Sequence, residues 1–303
     1  MSCVFCRDTV QLKYSFPQNN FNGKLYKYVR CGNCKLVYLD TLPGGLDYEV
    51  MYPPSYQSSV VQDDIQDDPD IKLPGLRFSY GFQFELIQKL SSKDARILDY
   101  GCGAGHFVGN ANEYGFKCEG AEFSSEYVSI LSKGFIGIQF YAIDEVLSDQ
   151  FTEKYDVIRL SNVLEHLTAP DEIINELSLR LKPDGILLVE GPIEDNFCLA
   201  TAFRKFYFRV NKLIRPDHTV SEPPFHIFFS NAKNQRSFFN NCGFEELYFK
   251  TAEDPWPFPT SIKSAKGLKN KTMAIVAKIS TAFTRTFGSR WGNIFIYVGK
   301  RKS

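Results

Sequence analysis

A short apolar run, Arg96-Ile97-Leu98-Asp99-Tyr100, leads without a break into Gly101-Cys102-Gly103-Ala104-Gly105 and then into a helical stretch from His106 to Tyr114. Glycines lack Cβ, so such a loop at the carboxyl end of a strand lets the main chain close on a ligand. The junction needs parallel neighbours, and the sequence supplies them. Residues 117–123 read as a second strand carrying Gly120-Ala121-Glu122, residues 137–142 as a third and 155–160 as a fourth. A helix over 170–181 ends at Lys182-Pro183-Asp184-Gly185, and 186–190 form the fifth strand. Strands alternating with helices in this order predict an α/β fold with a doubly wound parallel sheet.

The loop also implies a ligand. Glu122 lies 21 residues after Gly101, where an acidic residue ending the next strand accepts hydrogen bonds from ribose hydroxyls. Dinucleotide sites share this glycine spacing, so a dehydrogenase is one reading. Asp99 weighs against it, because a negative charge beside the loop opposes a pyrophosphate and suits a cation. A ligand that combines a ribose, an amino group and a positive sulfur is S-adenosylmethionine (SAM).

Several segments together resemble one family. Residues 97–105 resemble motif I of class I SAM-dependent methyltransferases, and Gly120-Ala121-Glu122-Phe123-Ser124 resembles their ribose-binding segment. Tyr155-Asp156-Val157-Ile158 through Val163-Leu164-Glu165-His166 resembles the "FDVV…VLEH" segment of the small-molecule branch. Leu181-Lys182-Pro183-Asp184-Gly185 resembles the "LKPGG" turn before strand five, and Phe225-His226-Ile227-Phe228-Phe229-Ser230 an "H…FS" element near the last helix–strand unit. The resemblance implies a Rossmann-like seven-stranded sheet with SAM as cofactor. It implies that Gly101, Gly103 and Gly105 shape the cofactor loop. Asp99 would hold the methionine ammonium and Glu122 the ribose. Ala142, with Tyr141 and Ile143, would lie at the adenine, and Asn162 would face the donor.

The N-terminus has its own signature. Cys3-Val-Phe-Cys6 and Cys31-Gly-Asn-Cys34 are two CxxC pairs separated by 24 residues. Two such knuckles complete a tetrahedral Cys₄ set suited to Zn²⁺, with Gly32 expected to supply permissive backbone. Aromatic-rich alternating segments on either side of the second pair predict the short strands of a small zinc ribbon. The module should be structural, because a closed Cys₄ site has no open coordination position. It also resembles the N-terminal module of deoxysugar C-methyltransferases. The expected organisation is a ribbon over 1–42, a linker or lid over 43–94 and the methyltransferase domain over 95–303, with insertions at 197–224 and 252–290. The linker reads as irregular to about Pro74. It contains Tyr48, Tyr52 and Tyr56, and an acidic cluster from Asp63 to Asp70. Its tyrosines serve either as surface packing or as a lid.

His226 is the first candidate for a general base, since an unperturbed imidazole accepts a proton near neutrality. A histidine packed among Phe225, Phe228 and Phe229 is the alternative. His166 is the second candidate, with bracing of its helix beside Glu165 as its other reading. His106 falls on the first helix, and His218 in the first insertion. That insertion is basic and aromatic (Phe203, Arg204, Lys205, Phe206, Tyr207, Phe208, Arg209, Lys212, Arg215). It suits either an anionic acceptor or a solvated helix with an apolar underside. Ile275, Ile279, Phe283 and Phe287 recur every four residues, opposite Lys278 and Arg285. This amphipathic helix packs on the domain or meets anionic lipid.

Composition bounds the rest. The chain has 35 Lys+Arg against 35 Asp+Glu, and a neutral balance argues against a nucleic-acid partner. Residues 260–303 nevertheless hold ten Lys/Arg and no acid. No apolar run is long enough to span a bilayer. The first ten residues lack a signal pattern, so a cytoplasmic location with reduced thiols is expected. The leading expectation is a methyltransferase of a small, anionic acceptor such as a sugar or other surface-polysaccharide precursor. A zinc-ribbon methyltransferase of ribosomal or transfer RNA, and a non-catalytic SAM-binding protein, are the alternatives.

Overall fold

A computed structural model describes residues 2–14, 18–52, 78–214, 219–220, 223–253 and 267–302. The acidic cluster, Tyr56 and His218 lie outside the described residues. Strands are β1 (Gln11–Lys13), β2 (Gln18–Phe21), β3 (Lys24–Tyr26), β4 (Tyr28–Cys31), β5 (Val37–Leu39), β6 (Arg96–Tyr100), β7 (Lys117–Glu122), β8 (Phe140–Ala142), β9 (Tyr155–Ser161), β10 (Leu181–Pro192), β11 (Thr219–Val220), β12 (Phe228–Phe229), β13 (Phe244–Ala252) and β14 (Ile294–Arg301). Helices are α1 (Gly45–Met51), α2 (Tyr80–Leu90), α3 (His106–Tyr114), α4 (Ser125–Gly134), α5 (Ile143–Leu147), α6 (Pro170–Leu179), α7 (Leu199–Ile214), α8 (Ala232–Asn241) and α9 (Gly267–Phe287).

The main sheet has seven strands in the order β13-β14-β10-β9-β6-β7-β8. β6 through β10 pair in parallel, and β14 runs antiparallel to both β10 and β13. The expected seven-stranded Rossmann-like sheet is therefore present. Its middle strands are apolar nearly throughout because both faces are covered. Alternate residues enter two different cores. Leu98, Ile158, Leu187 and Val189 share one with Ile174 and Leu177 of α6. Ile97, Val157, Ile186 and Leu188 share the other with Phe84 of α2 and Phe107 of α3. β10 starts earlier than the sequence suggests: Leu181 already pairs with Tyr155, and the register shifts before Ile186.

The ribbon does not stand apart. Its sheet has the order β1-β4-β5-β12, so a strand from the far end of the chain completes it. Phe228 pairs with Tyr38 and Phe229 with Val37. Cys3, Cys31 and Leu36 to Leu39 share one core with Leu98 and Leu187 of the main sheet. Outside that core, Arg7 grips Asp171 of α6 through Nη2 and Nε, at 2.7 Å and 3.1 Å.

Residues 45–51, expected to be irregular, are helical in α1. Asp47, 1% exposed, explains this. Its carboxylate accepts from the Gly44 N–H just before the helix and from Asn22, Lys24 and Tyr26 of the ribbon. These donors, Lys24 first, hold its pKa well below the usual carboxylate range. A negative group at a helix start also favours the helix dipole.

One row of side chains breaks the apolar pattern. Asp99 and Arg159 are register partners on β6 and β9, and Glu190 lies two residues beyond Arg159's partner on β10. By period-two alternation all three face the α2–α3 side. Arg159 Nη1 donates to Asp99 Oδ1 at 2.6 Å, and its Nε donates to Gln83 Oε1 of α2 at 2.8 Å. Gln83 Nε2 donates to Glu190 Oε2 at 2.7 Å. The guanidinium lies over the Phe107 ring, 3.8 Å from its centroid. Burial pushes Asp99 up and Glu190 up to about 7, and Arg159 pulls both back down. Arg159→Leu leaves two buried acids without their counter-ion. We expect a loss of about 3–5 kcal/mol in urea unfolding; a loss below about 1 kcal/mol would show that the row contributes no more than a surface pair.

Candidate active site

The parallel strands of a doubly wound sheet deliver their following loops to one edge. The residues after β6, β7, β8, β9 and β10 are therefore neighbours here. Gly101 has φ +77°, and a Cβ on it would collide with Val163 Cγ2. Gly105, at φ +76°, would press a Cβ to 3.0 Å from the Phe135 ring. Gly103 also has positive φ, 51°. The loop needs glycine both for conformation and for room.

Glu122 ends β7 beside Ala142 of β8. Its Oε2 accepts from Gly103 N at 2.8 Å and its Oε1 from Phe123 N at 2.9 Å. The glycine loop thus orients the carboxylate, and each oxygen has a second lone pair with which to accept a hydroxyl. Asn162, just past β9, holds left-handed backbone at φ 52°, and its N–H donates to Glu190 O at 2.9 Å. It is exposed, next to Val163 and hence next to Gly101. Strained backbone of this kind collects at functional sites. A cradle that a Cβ would fill, ended by an oriented acid, fits a nucleoside cofactor.

Asp99 requires a correction. The sequence reading gave it the ligand's ammonium, but its carboxylate is 2% exposed and bound to Arg159. Desolvation of an acid on that face is compensated by the cation across the strand, so Asp99 Oδ1 is held by Arg159 beneath the loop.

Both candidate histidines come together, with ring centroids 5.0 Å apart. His166 sits in the 3₁₀ turn Leu164–His166 after β9, and His226 lies two residues before β12. Tyr28 of the ribbon donates to His226 O at 2.8 Å, and Ile227 N donates to Glu165 O at 2.7 Å. His226 Nδ1 lies 2.7 Å from Glu194 Oε2, just past β10. A carboxylate can only accept, so Nδ1 carries a proton and Nε2 the lone pair of the neutral ring. His166 Nδ1 lies 2.8 Å from Phe225 O and 2.8 Å from Tyr52 Oη. The carbonyl again assigns the proton to Nδ1. Burial, then His226, lowers His166 to about 3, so it stays neutral. Burial raises Glu165 to about 7, against the pull of His226. Glu165, His166 and His226 also bring ligand atoms within 4.8 Å of one another, a set able to meet a divalent ion.

Sequence reasoning missed Glu194 and Arg159, and gave Tyr52 only as a packing or lid tyrosine. Glu194 had a signal, since it is an acid just beyond the fifth strand's carboxyl end. The contact of Tyr52 with His166 had none, because it spans 114 residues. Lys205 of the basic insertion pairs with Asp195, which Arg30 of the ribbon also binds. The side chains of Phe203, Arg204, Tyr207, Phe208, Lys212, Lys278 and Arg285 lie outside the described residues, as does Arg215.

The four N-terminal cysteines converge. Cys3 and Cys34 sulfurs are 3.5 Å apart, as are Cys6 and Cys31. Tetrahedral Zn–S bonds of about 2.3 Å separate sulfurs by about 3.8 Å, and a disulfide needs about 2.05 Å. The donor set therefore fits one thiophilic ion. A proton shared with Cys34 lowers the Cys3 thiol to about 5 and raises Cys34. Gly32 differs from expectation: left-handed backbone falls on Arg7 (φ 59°) and Lys35 (φ 65°), each just after the second cysteine of its pair. Gly32 instead makes room, since a Cβ there would meet Val10 Cγ1 at 2.5 Å.

Residues 77–247 match the family model described as a methyltransferase domain. A ubiquinone biosynthesis O-methyltransferase from Bordetella avium (strain 197N) is 25% identical over 126 residues, 39% of this chain and 52% of that protein. One from Pasteurella multocida (strain Pm70) is 30% identical over 133 residues, 39% of this chain and 53% of that one. The chain thus spans about half the length of these curated relatives. Among solved structures, a chain from the complex of the Haloferax volcanii Trm112 methyltransferase activator with a methyltransferase aligns at TM-score 0.52 and 11% identity. That alignment covers 87% of this chain and 100% of the other. It supports the fold alone.

The buried acid allows a test. Glu165's folded pKa, about 7, lies above its unfolded value, so its protonated form favours folding and that contribution fades as pH rises toward 7. His166 has the opposite sign: its folded pKa of about 3 costs stability as pH falls below the unfolded value. Glu165→Gln removes the acid's titration while leaving both histidines in place. The variant should gain about 2–3 kcal/mol relative to wild type between about pH 5 and pH 8. Urea curves with a pH-independent difference would contradict the buried, proton-bearing acid.

Proposed function

The chain belongs to the methyltransferase-domain family, and from that premise we propose that it is a SAM-dependent methyltransferase of a hydroxylated small molecule. The observation that carries this reading is the meeting, at one sheet edge, of a glycine cradle with an oriented carboxylate and a histidine pair. Gly101, Gly103 and Gly105 admit the cofactor backbone-close, Glu122 accepts its ribose hydroxyls, and Ala142 and Asn162 flank it. SAM held there would supply an electrophilic methyl group on positive sulfur, with the sulfur as leaving group, to the acceptor oxygen. His226 Nε2 takes the acceptor's proton. Glu194, through Nδ1, fixes the tautomer and stabilises the imidazolium that results. His166 remains neutral and positions the acceptor beside Tyr52.

A nucleotide-linked sugar or another surface-glycan precursor remains the acceptor class we favour. Lys205 on α7, which begins five residues after Glu194, suits an anionic group. The curated relatives are named for ubiquinone biosynthesis, so phenolic acceptors belong in the same assay. The Cys₄ set binds zinc in this reading and acts structurally: it secures β4 and β5, and β5 holds β12 just beyond His226. Location in the cytoplasm fits the absence, among the described residues, of a helix able to cross a membrane.

Methyl uptake from labelled SAM across nucleotide sugars and catechols tests the activity. His226→Ala should lower kcat by about 10²–10⁴-fold while calorimetric SAM affinity stays as in wild type. Glu194→Gln should lower kcat less and shift the acid limb of the pH profile. Glu122→Ala should weaken SAM binding; unchanged affinity would remove the crevice from the reading. Unchanged turnover in His226→Ala would remove the base. Elemental analysis should find one zinc per chain, absent from a Cys31→Ser/Cys34→Ser variant.

A further inference from the structure

The two inserted helices carry an uncovered apolar stripe each, and the reading of the active site leaves both unused. α7 exposes Phe206, Leu213 and Ile214 at 65%, 83% and 69%, whereas Thr201 on its other side is buried. α9 exposes Leu268, Ile275 and Ile279 at 83%, 44% and 51%. At about 100° per residue these three lie within about 40° of one line. Farther along, Phe283 and Phe287, 38% and 51% exposed, pack on Trp291. Ser280, fully buried, accepts from Leu199 N at 3.3 Å and so ties the start of α7 to α9. The stripe on α7 therefore lies across from its buried side, and the stripe on α9 lies beside the residues that anchor it.

Charge selects the partner. α7 contains Arg204, Lys205, Arg209 and Lys212, and α9 contains Lys269, Lys271, Lys278 and Arg285. Neither helix has an Asp or Glu, although the charges of the whole chain balance. Arg209 and Lys271 are exposed. A second copy of the chain would bring the same positive charge against itself in a two-fold contact. A nucleic acid would satisfy the cations but leave Leu213, Ile214, Leu268, Ile275 and Ile279 without a partner. A surface offering both anionic headgroups and acyl chains satisfies both sets.

We propose that α7 and α9 form a docking surface for anionic lipid membrane. The chain lies on the bilayer by the helices' apolar stripes, and Arg209 and Lys271 meet the headgroups. α7 begins five residues after Glu194, the acid whose Oε2 lies 2.7 Å from His226 Nδ1. This contact is separate from methyl transfer, and its test reads binding.

The test is co-sedimentation of the full chain with phosphatidylcholine vesicles, either pure or containing about one third phosphatidylglycerol. Binding to the anionic vesicles should exceed binding to the neutral ones by at least about tenfold and fall with salt. Phe206→Ser/Ile275→Ser/Ile279→Ser changes only exposed side chains and should cost at least about tenfold. Arg209→Glu/Lys271→Glu should also weaken binding and flatten the salt dependence. SAM calorimetry on each variant reports whether the fold is retained, independently of lipid. Equal binding to both vesicle types would overturn the proposal. So would variants that fold and bind like wild type, or a dimer in sedimentation equilibrium that the serine substitutions dissolve.

Discussion

Arg159 is a cation inside a sheet, and much of the molecule is arranged to accommodate it. Its neighbours on the two flanking strands supply Asp99 and Glu190, and Gln83 crosses from α2 to bind both the arginine and Glu190. Phe107, on the helix that leaves the glycine loop, covers the guanidinium. One buried charge thereby ties the strand beneath the cofactor loop, the helix after it and the helix before the sheet. A buried ion pair of this sort adds little net stability over an apolar replacement, but breaking it is costly. Its role here is to dictate which face of β6, β9 and β10 carries charge and where α2 must sit.

The ribbon and the histidines form a second dependency. β12 pairs with β5, and Tyr28 of β4 donates to the carbonyl of His226. His226 is thus held from the N-terminal module, while Glu194, at the end of the main sheet, holds its ring. Asp195 extends the link, since Arg30 of the ribbon and Lys205 of α7 both bind it. A small module that cannot bury much surface gains stability from a metal. A metal held by the Cys₄ set would pass that stability through β5 and β12 to the proposed base.

Different kinds of residue were legible to different degrees. The glycines, Glu122 and Asn162 follow the carboxyl-edge rule for parallel sheets and could be named from order alone. Asp99 obeys the same pattern, but its partner in the sheet, Arg159, does not. The strand text Val157-Ile158-Arg159-Leu160 does contain a misplaced cation, but only strand register reveals that it faces Asp99. Gly32 was read as a conformational glycine, and the left-handed positions belong to Arg7 and Lys35.

What the sequence determined by itself was local and periodic. Two-residue cysteine gaps, glycine after an apolar strand, and alternation of strand with helix are short-range consequences of backbone geometry and side-chain spacing. Tertiary structure decided which distant groups share a proton or a charge: Arg159 with Asp99, His226 with Glu194, Tyr52 with His166. Such pairings depend on register and on the packing of elements dozens of residues apart. A carboxylate's partner is whichever donor the fold brings to it once water has been excluded.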